Sequence, residues 1–203
     1  ERLEIPPDAW EKCEACGHTD IREKFVRNLN VCPNCDFHRR IRAVTDQYPG
    51  TANVGEVWVD SSEEFGKYVR PDELHLGFNF RLATVPFEAT AIGEAIAESL
   101  AAVHAVGAVP TWTLSNHDVE REVTRYTPPV PADSDDEAWA AENALGIGIA
   151  RARAMALVEL ALPGTVFIYN GAELGLPNVD LPDEALVDPV WTRSGHTERG
   201  RDG

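Results

Sequence analysis

Positive charge is scarce in this sequence. Only 18 Lys and Arg stand against 34 Asp and Glu, a formal charge of -16 at pH 7. That balance repels phosphate backbones and anionic headgroups, so neither nucleic acid nor a charged membrane surface is an expected partner. No stretch approaches the roughly 18 uninterrupted apolar residues of a membrane helix. The N-terminus has no charged-then-apolar leader pattern either, and the location expected by default is cytoplasmic. No Gly/Ser-rich or Pro-rich linker and no repeat of about 20–50 residues divides the chain. With 43% hydrophobic and 26% charged residues over 203 positions, the remaining reading is a globular chain, one medium domain or two small ones. It starts at Glu1 rather than Met and stops at Gly203 without a helix cap, as a piece of a longer chain would.

Cysteine is absent after position 35, and this divides the chain better than any linker. Residues 1–43 hold eight acidic and eight basic residues, so all the net charge falls in 44–203. The first part holds Cys13-x2-Cys16, fifteen intervening residues, then Cys32-x2-Cys35. Two such turns, paired across a hairpin, present four thiolates as a closed tetrahedron, the spacing of a structural zinc ribbon. Two disulfides are the alternative, disfavoured because nothing indicates secretion. Ile21, Phe25, Val26, Leu29 and Val31 form nearly the whole expected core, so Zn²⁺ would supply most of the folding free energy. His18 and His38 are read as surface residues, since four sulfurs already satisfy zinc. The expected domains are a zinc ribbon over 1–43 and an α/β unit over 44–203.

In the acidic part, short apolar runs alternate with helical ones. Residues 53–58, 74–80, 108–115 and 165–169 read as strands. Ile92, Ile96, Leu100 and Val103 mark an amphipathic helix over about 86–105. A longer helix begins at a capping box of Ser134 and Glu137 and is stopped by Leu162-Pro163-Gly164. Such alternation predicts parallel β/α units in an open sheet or a barrel, with chemistry at the C-terminal strand ends. Glu56 and Asp118 lie there in apolar context, where a carboxyl group is costly unless hydrogen-bonded, protonated or open to a cleft. An Asn-His-Asp triplet after a strand also reads as a helix N-cap.

Two resemblances refine these readings. Residues 10–42, with KCEACG, RNLNVCPNC and FHRRIRA, resemble the zinc ribbon of the bacterial acetyl-CoA carboxylase carboxyltransferase β subunit. Nothing after Ala43 resembles that subunit's crotonase-like body, so the resemblance implies the ribbon and not the activity. From about residue 40 onward, VGEVWVD (54–60), TLSNHDVER (113–121), GTVFIYNGAELGLP (164–177) and residues 178–203 resemble an α-glucosidase of the α-amylase family of glycoside hydrolases. This implies the last half of a (β/α)8 barrel, strands five to eight, and an α-glucoside or oligosaccharide as ligand. It also implies that Glu56 is the general acid/base, that Asp118 is the carboxylate stabilising the transition state, and that His117 binds substrate hydroxyls. Val54, Val57 and Trp58 are expected to give Glu56 the apolar surroundings that an acid needs. The family's nucleophile string, Gly-Phe-Arg-x-Asp on strand four, has no match before Glu56. Only Asp36 and Asp46 are acidic between Cys35 and Glu56. An open half barrel exposes strand edges, which predicts a homo-oligomer or poor solubility.

Overall fold

The computed structural model describes residues 9–28, 31–35, 37, 41–132 and 135–199. In the cysteine segment, β1 (Trp10–Lys12) pairs antiparallel with β2 (Thr19–Ile21), which runs directly into the short helix α1 (Arg22–Arg27). The core here is smaller than the sequence suggests. Cys13, Phe25 and Cys32 are buried with Phe37 against them, whereas Ile21 and Val26 are each 44% exposed. Leu29 and His38 fall outside the described residues. Helix α2 (Ile41–Thr45) follows, and the Arg22 guanidinium reaches Gln47 Oε1 at 3.2 Å, tying this segment to the next.

All four expected strands form, and each is shorter than its apolar run. Parallel pairing joins β3 (Val54–Val57) to β4 (Leu76–Asn79), and β5 (Thr111–Trp112) to β6 (Thr165–Val166). Between the two pairs the Thr111 hydroxyl donates to the Gly77 carbonyl, which places β5 beside β4. Helices fill the connections: α3 (Ser62–Tyr68), α4 (Ala89–Ala105), α5 (Glu122–Tyr126) and α6 (Glu137–Ala161). A further short helix, α7 (Pro189–Arg193), lies near the end. This is a partial (β/α) barrel, with four strands where a closed one has eight.

Local chemistry explains the helix limits. The Ser61 hydroxyl caps α3 by accepting from Glu64 N–H at 3.1 Å. For α6 the cap is Asp136, which accepts from Trp139 N–H at 3.0 Å. The expected partner Ser134 lies outside the described residues, and Glu137 is the first helical residue rather than the third. Leu162-Pro163-Gly164 does end α6. Gly164 has φ +114° and lies so close to the Pro110 carbonyl that any side chain would collide with it.

Two apolar clusters lie between strands and helices. Val57, Phe65, Val69 and Val103 join β3 to α3 and α4. Leu82, Trp112, Leu114, Val123, Tyr126 and Met155 join β5 to α5 and α6. The expected face of α4 packs here too, with Val103 buried and Ile92, Ile96 and Leu100 half-buried. Among the described residues, the outer edges of β3 and β6 pair with no other strand.

Candidate functional site

The C-terminal ends of the four strands surround a cleft of about 240 Å³. Glu56 reaches it from β3, Phe78 from β4 and Phe80 from just after it, Ser115, Asn116 and His117 from the loop after β5, and Phe167 and Tyr169 from the loop after β6. Every strand therefore contributes to one mouth, as expected for a parallel β/α arrangement. Aromatic rings dominate its walls. Trp58 stacks on Phe80 at 4.0 Å between ring centres, and Phe78 meets Phe167 edge-on at 4.6 Å.

The surroundings of Glu56 differ from expectation. Glu56 is exposed, as are Val54 and Trp58, and only Val57 is buried. Instead of an apolar jacket, the Trp58 indole N–H donates to Glu56 Oε1 at 2.9 Å. The physical reason is that, among the described residues, no strand faces the inner surface of β3. His117 is exposed on the cleft, and its Nε2 lies 3.7 Å from Oδ1 of half-buried Asp118. Asp118 itself does not line the cleft. The Asn-His-Asp triplet is not a helix cap. Asn116 Oδ1 accepts from Asp118 N–H at 2.9 Å in an Asx turn, and α5 begins only after Arg121.

Glu56 is the single carboxylate among the described residues lining this cleft. Asp46 is held elsewhere, by His75 Nε2 at 3.1 Å and Arg42 Nε at 3.5 Å. His75 also bonds Asn53 Oδ1 at 2.7 Å, and both residues immediately precede their strands. That network belongs to the N-terminal strand ends, opposite the mouth. Asp36 lies outside the described residues.

A second acidic pair was not foreseen in the sequence. Ala144, Gly148, Ala152, Met155 and Glu159 form the buried stripe of α6, so Glu159 occupies a position where the pattern calls for an apolar residue. It is 1% exposed, and its Oε1 has no hydrogen-bond partner. Burial, with the Glu122 carboxylate beside it, pushes the Glu159 carboxyl up to about 7. Glu122 is also buried, and it accepts the Ser115 hydroxyl at 2.6 Å. The only sequence signal was a charged residue in phase with an apolar stripe.

The four cysteine sulfurs lie within 4.8 Å of one another. Cys13 Sγ is 3.8 Å from Cys35 Sγ, and Cys16 Sγ is 3.7 Å from Cys32 Sγ. A tetrahedron with Zn–S bonds of about 2.3 Å has edges of about 3.8 Å, so the donor set and its size fit zinc. Asn34 supports the sulfurs, with its backbone N–H 3.4 Å from Cys32 Sγ and its side-chain nitrogen 3.5 Å from Cys16 Sγ. The Asn34 side chain and then the His18 backbone hold the Cys16 thiol down at about 6. At Cys35 the Phe37 backbone N–H favours the thiolate, yet the neighbouring cysteines and burial prevail and push it up to about 12.

A helical, parallel-stranded arrangement with side chains gathered at the C-terminal strand ends is a fragment of a (β/α) barrel. The model of the alpha-amylase catalytic domain matches residues 8–203, and the chain belongs to that family. It is 34% identical to a probable alpha-glucosidase of Rhizobium meliloti (strain 1021), over 89% of this chain and 30% of that protein. It is 31% identical to the oligo-1,6-glucosidase IMA5 of Saccharomyces cerevisiae, over 62% of this chain and 21% of that protein. The crystal structure of the alpha-glucosyl transfer enzyme XgtA superposes with a TM-score of 0.60 at 30% identity, over 80% of this chain and 27% of that one. The chain thus spans less than a third of the length of these relatives. The matched family span includes the cysteine segment. No helix among the described residues is long and apolar enough to cross a membrane.

Proposed function

We propose that this chain binds α-glucosides in the cleft at the C-terminal strand ends, with Glu56 as general acid/base, His117 on the sugar hydroxyls and Asp118 as the charge beside it. The observation that carries the reading is the convergence of Glu56, Asn116, His117 and five aromatic or apolar side chains on one cleft. Aromatic faces suit the C–H faces of a pyranose ring, and the polar groups suit its hydroxyls. Retaining hydrolysis needs two carboxyl groups about 5–5.5 Å apart, one donating a proton to the leaving oxygen and one attacking from the opposite face. Glu56 can take the first role, and the described residues lining the cleft include no second carboxylate. Sugar binding is therefore expected, and turnover only where a second carboxylate is brought in.

The four cysteines would hold zinc, which would fasten the loops carrying Cys13 to Cys16 and Cys32 to Cys35 and take no part in chemistry. A second reading, in which the ribbon is an interaction module and the barrel its carrier, is favoured by the sulfur geometry alone. A carboxyltransferase accessory role rests on the ribbon string, and residues 44–203 add nothing to it.

The test is nitrophenol release from a nitrophenyl α-glucoside, together with glucoside-induced stabilisation, for the zinc-loaded chain and its Glu56→Gln variant. Turnover lost in the variant supports Glu56 as acid. Stabilisation without turnover supports binding alone. Neither response to the sugar, in either protein, overturns the reading and turns attention to the ribbon.

A further inference from the structure

The loop that carries Asn116, His117 and Asp118 is closed at its base by side chains of α5, the helix it leads into. Ser115 and Glu122 stand at its two ends, both buried, and the Ser115 hydroxyl donates to Glu122 Oε2 at 2.6 Å. Arg125, further along α5, donates to the Leu114 carbonyl at 2.7 Å and to the Glu120 carbonyl at 2.6 Å. On the strand side, the Thr113 hydroxyl donates to the Ser115 carbonyl at 2.9 Å. Among these ties, the one at Glu122 places a carboxylate in the interior.

Glu122 is 4% exposed, next to Val123 in the apolar packing of α5 on α6. An apolar side chain at that position would avoid the cost of burying a charge. What the carboxylate gives in return is the tie itself. A hydroxyl bonded to a carboxylate is held more strongly than one bonded to a neutral group, and this bond joins residues seven positions apart. It therefore fixes the backbone on which His117 and Asp118 ride. Ser115, Asn116 and His117 all line the cleft of Glu56.

We propose that Glu122 is a positioning residue for that cleft, which through Ser115 holds the loop of His117 and Asp118 where sugar hydroxyls would meet it. This rests on the reading of the cleft as an α-glucoside site, whereas the hold itself can be measured without sugar. Glu159 sets its limit. While the Glu159 carboxyl keeps its proton, up to about 7, no second negative charge presses on Glu122 from α6. Above that, two like charges share one buried place and the tie weakens. The other charged or titratable groups around the pair are Arg125 on α5, Arg153 on α6, and Tyr169 and Glu173 from the loop after β6. Among the described residues, neither arginine forms an ion pair with Glu122 or Glu159.

Hydrogen exchange of residues 116–121 in the 203-residue chain, corrected for the intrinsic rate at each pH, reads the hold directly. Glu122→Leu should speed exchange there about tenfold and weaken binding of a nitrophenyl α-glucoside by a similar factor. The amides of α4 should be unaffected and the Tm unchanged or higher, because a buried charge has gone. A residue with a merely structural role would lower the Tm along with both. Glu122→Gln, which keeps an acceptor for the hydroxyl, should restore most of the protection. Ser115→Ala removes the same bond from the other side and should match Glu122→Leu in exchange, which covers a leucine variant that fails to fold. In the unmodified chain, protection of 116–121 should fall as pH rises through about 7, and Glu159→Gln should abolish that fall. Unchanged protection in both Glu122→Leu and Ser115→Ala overturns the proposal, and so does a loosened loop with undiminished glucoside affinity. A loosened loop in a chain that binds no glucoside in any form supports the hold and overturns the sugar reading instead.

Discussion

The cysteine segment and the half barrel face the same shortage of apolar burial and meet it differently. In the first, one buried phenylalanine and two buried cysteines make up most of the interior, and four converging sulfurs supply a centre that a metal can close. In the second there is ample apolar surface, and among the described residues much of it is exposed. Leu157, Leu160, Leu174 and Val179 are all more than 60% exposed. A small module can complete itself with one ion, whereas a fragment of a large closed architecture can complete itself only with more polypeptide.

The largest effect should come from breaking the smaller region. Chelation, or Cys32→Ser, should release one bound zinc and unfold the cysteine segment. Structural sites of this kind contribute about 10–16 kcal/mol to folding. The helical signal of α4 and α6 should survive, and loss of the whole spectrum would show that the regions fold as one. Next is the interior of the larger region. Trp112 is 1% exposed and donates its indole N–H to the Pro163 carbonyl at 2.8 Å, so Trp112→Ala should cost about 3–5 kcal/mol in urea unfolding.

A smaller effect is tied to pH. The Glu159 carboxyl is raised to about 7 in the folded chain from 4.5, so the native state holds the proton more tightly than the unfolded one. Its contribution is present in full below about 4.5 and is lost as pH rises through about 7, an effect of about 3 kcal/mol. In dilute protein, Glu159→Gln should flatten that slope in a Tm series across the window. The smallest is Asp136→Ala, expected to cost about 1 kcal/mol by freeing the first turn of α6. An unchanged Tm would return the cap to the Ser134 box.

Much of the architecture could be read from the sequence because strand and helix periods are local. The runs around Val54, Leu76, Thr111 and Thr165 each became a strand, and Leu162-Pro163-Gly164 ended its helix. The sulfur cluster was equally plain, since spacing within two tight turns fixes which side chains meet. What could not be read depends on the surroundings. Glu56 was expected among apolar neighbours, as it would be with facing strands, and it is instead exposed with an indole N–H on its oxygen. Asn116 could serve an Asx turn or a helix cap, and only the course of the chain to Arg121 separates them. Glu159 was overlooked because one acid in a small-residue stripe looks like a surface position until the stripe is seen to face inward.

The knot of Asp46, His75 and Asn53 ties the loop after α2 to the starts of β3 and β4, one residue from the Gln47 that Arg22 grips. The sulfur-rich end is therefore anchored beside the N-terminal strand ends, while the aromatic-walled cleft opens at the C-terminal ends. Anything that grasped the cysteine segment would hold the molecule by a handle and leave that cleft pointing outward, so tethering and occupation of the cleft would not compete for the same space.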